Sequence, residues 1–174
     1  MLKSKEVSLL ALFAALTAVG GFVSIPFYPV PLTLQIFFVL LSGVILGKKL
    51  GALSQIIYVG IGAIGVPVFH NATGGIGILL GPTGGFLFGF IGGAYLSGLF
   101  YEKYKNNKIR FFGLIGSLFP IYLIGILWLS FITGMSIEKA ILLGGVPFIP
   151  GDIVKSILAF LVEKKVKNYI KLNF

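Results

Sequence analysis

The 174-residue chain has no cysteine and a single histidine, His70. Without thiols it can build neither disulfides nor thiolate metal centres, and a lone imidazole does not make a zinc site. No metal or cofactor is expected. Only five residues are acidic, and charged residues together make up 11% of the chain, against about 25% in an average protein. So few charges cannot cover the surface of a soluble domain of this length. No Lys-Ser/Thr pair closes a glycine-rich loop and no Gly-x-Ser-x-Gly turn occurs, so nucleotide hydrolysis and serine-hydrolase chemistry have no visible machinery. The chain is not expected to be an enzyme.

What the chain does have is apolar surface: 57% of its residues are hydrophobic, and the mean hydropathy is +1.04. Charged clusters and Pro/Gly breaks separate six apolar runs, roughly 7–25, 33–47, 50–66, 81–101, 111–134 and 151–169. A membrane-crossing helix needs about 20 residues, so six spans consume most of the chain and leave one membrane domain, 1–174, with no soluble module. The run 33–47 is short, which predicts a span tilted by its neighbours or buried among them. Gly47-Lys48-Lys49 reads as a tight turn, and Pro120 is expected to kink the fifth span. The segment from Met1 to Glu6 reads as the start of a retained first span, not a cleaved signal.

The net charge of +9 raises the possibility of nucleic acid, but its distribution follows membrane topology instead. Lys3, Lys5, Lys48, Lys49, Lys103, Lys105, Lys108, Arg110, Lys164, Lys165, Lys167 and Lys171 all fall on one side, twelve of the fourteen basic residues. The opposite connections, 24–32 and 67–80, carry no charge, and 135–149 carries only Glu138 and Lys139. The expected fold is therefore an all-α integral membrane protein of six transmembrane helices with both termini cytoplasmic, a multi-pass protein of the cell membrane.

Lys155 is the one basic residue left over. Asp152 lies three positions earlier, on the same helical face, and nine residues, or about 13 Å of helix, separate Lys155 from the cluster at Lys164. A charge at that depth costs about 2.5–3.5 kcal/mol on insertion scales and is usually retained for a substrate or ion. Alternatively, Asp152 caps the sixth helix after Pro150-Gly151 and Lys155 is its ion-pair partner. Thr83, Gly84 and Gly85, after Gly81-Pro82, open the fourth span with backbone N–H groups suited to an anion or carbonyl, or serve close packing. Gln35 is either interhelical glue or a ligand contact. Asn71 can both donate and accept, whereas His70 reads as an exposed loop residue. Ala11, Ala14, Ala15 and Ala18 form a small-residue face, for internal packing or for a second membrane protein.

Taken in order, these segments resemble the BioY family, the biotin-binding S components of energy-coupling factor (ECF) transporters. The resemblance begins in Ala11-Leu12-Phe13-Ala14-Ala15-Leu16-Thr17-Ala18. It continues through Pro29-Val30-Pro31-Leu32-Thr33-Leu34-Gln35 and Gly62-Ala63-Ile64-Gly65-Val66-Pro67-Val68-Phe69. Its most specific parts are Gly74-Gly75-Ile76-Gly77 with Gly81-Pro82-Thr83-Gly84-Gly85, and Pro147-Phe148-Ile149-Pro150-Gly151-Asp152-Ile153-Val154-Lys155.

The resemblance implies an S-component-like bundle that captures biotin near the outer face. It also implies partners: a transmembrane coupling subunit, docked on Ala11, Ala14, Ala15 and Ala18, and two ATPase subunits. It implies polar ligand contacts at Asn71, Asp152 and Lys155. Asp152 and Asn71 suit the ureido N–H groups, Lys155 suits the ureido oxygen or the carboxylate, and Phe69 and Tyr58 suit the rings and tail. Other readings are the same scaffold for thiamine or riboflavin, a stand-alone ion-coupled permease using Asp152 and Lys155, and an intramembrane hydrolase using His70 and Asp152.

Overall fold

The structure is a computed structural model, and it describes residues 3–166; Lys167, Lys171 and the end of the expected run 151–169 lie outside them. The chain is mostly helical: α1 Ser4–Phe22, α2 Gln35–Ala63, α3 Ile76–Leu79, α4 Gly84–Lys103, α5 Asn107–Gly116, α6 Leu118–Thr133, α7 Ile137–Gly144 and α8 Ile149–Val166. By length and composition α1, α2, α4 and the stretch Asn107–Thr133 can each cross a membrane, and α7 with α8, bent by 52°, makes a fifth candidate.

Helix α2 is two antiparallel halves. Gly47 has φ +81° and ψ 171°, a backbone region open essentially to glycine alone, and it reverses the chain within one residue. In a straight helix Gln35 and Tyr58 would stand about 35 Å apart; here their side chains hydrogen-bond. A Cβ on Gly51 would strike the Gly43 backbone, so the two halves touch main chain to main chain. Glu102, at the end of α4, accepts from the Lys48 backbone N–H at 2.8 Å and pairs with the Lys48 ammonium at 3.0 Å. It thereby satisfies an orphan donor where the helix restarts. The first half is buried without interruption from Val39 to Gly47, as its short apolar run predicted for a span enclosed by others.

The expected fifth run is broken at Ser117, three residues before Pro120. Pro120 thus sits in the first turn of α6, where its missing N–H leaves no bond unmade. One departure from an all-α reading lies in the first uncharged connection. Ser24–Ile25 (β1) and Leu32–Thr33 (β2) pair antiparallel in the register Ser24 to Thr33, pinning the proline-rich segment 26–31 into a hairpin. The connection 135–149, expected as a loop, contains α7, which starts on a Ser136 cap accepting from Lys139 N–H at 3.3 Å. Hairpin, segment 67–80 and α7 gather at one end of the bundle, opposite Lys48 and the start of α1.

Candidate functional site

The site grows from the first turn of α8. Asp152 is fully buried three residues inside the helix. Its two carboxylate oxygens are taken by side chains: Lys155 Nζ approaches Oδ1 at 2.7 Å, and the Tyr122 hydroxyl of α6 donates to Oδ2. Its backbone carbonyl accepts from Ser156 Oγ at 2.8 Å. Asp152 also lies where the helix dipole favours negative charge. The pair is nearly dehydrated, with 13% of the Lys155 side chain exposed and 1% of the Asp152 side chain. This arrangement leaves lone pairs on Asp152 and N–H groups on Lys155 for a further polar partner.

Asp152, Lys155 and Tyr122 border a cleft with about 500 Å³ of space between its atoms, part of it open to the outside. Phe86, Leu87 and Phe90 of α4, Ile36 of α2 and Phe148 supply apolar walls, while Thr33, Gln35, His70 and Thr83 add polar edges. Val30 and Pro31 of the hairpin lie over it. Phe27, at the hairpin tip, packs edge-on against Phe148 with ring centroids 5.7 Å apart, joining the first connection to the start of α8.

The residues singled out in the sequence divide. Asp152, Lys155, Gln35 and Thr83 line the cleft. The Gln35 amide is already engaged, donating to the Tyr58 hydroxyl and accepting from Thr33 Oγ1 at 3.0 Å. Tyr58 and Phe69 are buried behind the wall, edge to face at 5.6 Å. Gly84 and Gly85 are packing positions, where a Cβ would strike the Leu79 carbonyl and Trp128 respectively. Asn71 has φ +54°, accepts from Ser24 Oγ at 3.1 Å, and lines an adjoining groove rather than the cleft. His70, read as an exposed loop residue, is half-buried and borders both cleft and groove; burial pushes its imidazole below the ordinary value. Ala14 and Ala18 are buried in the chain's own core, while Ala11 and Ala15 face outward.

Tyr122, Phe86, Phe90 and Phe148 were not singled out. An aromatic inside an apolar run carries no sign of which way it faces, and only the hydroxyl of Tyr122 among these offered a signal. Gln55 was also missed: it is fully buried, and its amide nitrogen, with two N–H groups to donate, lies 3.1–3.3 Å from the Thr17, Ser42 and Ser54 hydroxyls, joining α1 to both halves of α2.

Fold and cleft define the class: a multi-pass helical membrane protein with a polar-and-aromatic cleft at one end of its bundle. A sequence model of the BioY family matches residues 1–172, and the chain belongs to that family. It is 46% identical over 167 residues to a probable biotin transporter BioY of Pyrococcus horikoshii, covering 96% of this chain and 99% of that one. It is likewise 46% identical over 157 residues to the biotin transporter BioY of Thermotoga maritima, covering 90% and 92%. The fold matches a crystal structure of the S-component for biotin from an ECF-type ABC transporter with a TM-score of 0.87, at 26% identity and 97% and 95% coverage.

Proposed function

We propose that this protein is the substrate-binding membrane subunit of a biotin uptake transporter. The observation that carries the reading is the buried Asp152–Lys155–Tyr122 cluster at the edge of an aromatic-walled cleft, in a chain similar along nearly its whole length to biotin transporters. The ureido group of biotin has two donors and one acceptor. It complements a carboxylate beside an ammonium, and the apolar walls suit the thioether ring and tail.

In this reading the chain crosses the cell membrane six times, with each half of α2 as one span and α7–α8 as the last. The basic connections lie in the cytoplasm with both termini, and the cleft faces outward. The hairpin and segment 67–80 close over captured biotin. A transmembrane coupling subunit and two ATPase subunits then drive reorientation and release, with the outward-facing Ala11 and Ala15 of α1 as the docking surface.

Calorimetric titration of purified protein with biotin tests the assignment, alongside Asp152→Asn and Lys155→Met. One-to-one binding by the parent that both variants lose supports it. A folded parent that binds no biotin sinks it and sends the titration to thiamine and riboflavin.

A further inference from the structure

The cleft does not end at its walls. A second, more open groove is lined by Pro26, Phe27, Tyr28, Pro29 and Asn71, and it shares Pro31 and His70 with the cleft. The two spaces adjoin at those two shared residues, and they differ in chemistry. Among the described residues lining either space, Lys155 is the only permanent cation, and it is held at 2.7 Å by Asp152. The groove has no charged side chain, and burial keeps the His70 imidazole on the neutral side. Depth separates the polar ends as well. Asp152 and Lys155 lie three and six residues inside α8, about 5 and 9 Å along its axis, while Pro31, His70 and Asn71 belong to the connections at the rim.

A ligand with a neutral hydrogen-bonding head and an anionic tail enters such a space one way round. The head meets Asp152 and Lys155. A carboxylate placed there would face the Asp152 carboxylate, whereas at the junction with the groove it meets no like charge, and no cation either. Recognition therefore rests on the head, and the tail end opens onto room lined by proline and aromatic surface.

Building on the biotin reading, we propose that cleft and groove form one extended site whose ligands include amides of biotin, molecules in which the carboxyl group is joined to an amine such as the ε-amine of lysine. The carboxyl-linked substituent lies in the groove between the hairpin tip and Asn71. The substrate class is then biotin and its carboxyl-linked conjugates, and the free carboxylate is dispensable.

The test is competitive titration of the full chain in detergent with biotin, biotin primary amide and the lysine ε-amide of biotin. Had a cation held the carboxylate, its loss would cost at least about tenfold in affinity. Both amides are expected to bind within about tenfold of biotin, one to one and competitively with it. A larger deficit in a protein that binds biotin overturns the proposal and leaves the biotin assignment standing; absence of biotin binding removes the assignment itself. In Tyr28→Ala, which removes an aromatic wall of the groove, the affinity for the lysine amide relative to biotin is expected to fall about threefold or more. An unchanged ratio overturns the groove as the seat of the substituent.

Discussion

Asp152 accepts from Lys155 on one oxygen and from Tyr122 on the other, so the three side chains form one unit rather than a pair with a bystander. Breaking a buried ion pair from one side leaves an uncompensated charge and costs about 3–5 kcal/mol. Asp152→Asn and Lys155→Met are each expected to lower stability on that scale, and the double variant by clearly less than the sum; thermal unfolding in detergent with all three proteins measures it. Tyr122→Phe removes one donor to a charged acceptor, worth about 1.5–3 kcal/mol. It is expected to weaken biotin binding while the protein stays folded, as calorimetry beside an unfolding scan will read. At His70 the folded-state pKa lies below 6.5 because burial penalises the cation. The unfolded chain therefore takes up the proton first, so the His70 contribution to stability is present above pH 6.5 and is lost as pH falls from there through the lowered value. His70→Gln is expected to flatten that part of a melting-temperature profile between pH 7.5 and 5.

At the scale of elements, the reversal at Gly47 decides how much helix is available to cross a membrane. Its φ of +81° with ψ 171° penalises any side chain by about 1–3 kcal/mol. A Gly47→Ala protein is expected to unfold earlier by an amount in that range and to lose the Lys48–Glu102 contact, measured by thermal unfolding beside the Glu102→Gln variant. The reversal was legible from Gly47-Lys48-Lys49, because two adjacent lysines cannot stay in an apolar run. The β1–β2 hairpin and α7 were not. Strands of two residues carry no periodicity, and the α7 segment is too short to announce itself except by its Ser136 cap. A kink at Pro120 was expected within a continuous fifth run; the run is instead broken at Ser117, since proline fits the first turn of a new helix better than the middle of an old one.

For the whole molecule, the division of the alanine face matters most. Ala14 and Ala18 are spent on internal packing, while Ala11 and Ala15 remain on the surface. A bulky residue at Ala15 would block close approach of another helix without touching the cleft. Ala15→Trp is expected to retain biotin binding in detergent and to reduce uptake by cells carrying the proposed coupling and ATPase subunits by about tenfold or more. Loss of binding together with uptake would refute a docking role. Within the chain, Gly21 of α1 lies against the Gln35 amide, and a Cβ there would stand 3.2 Å from its nitrogen, so α1 connects the proposed docking face to the cleft.

Composition and the positions of charge were enough to assign a multi-pass membrane bundle and to single out Asp152 and Lys155 as candidates, because burying charge in lipid is costly whatever the fold. The i to i+3 spacing likewise places those two side chains together, since helical geometry is local. The meeting of Tyr122 with Asp152, the burial of Tyr58 and Phe69 behind the cleft wall, the inward turn of Ala14 and Ala18, and the placement of Asn71 in the groove all needed the assembled bundle. Each depends on how one helix is rotated against another. That rotation is set by close backbone contacts such as Gly43 against Ala94 and Gly85 against Ile124, which no pattern along a single helix contains.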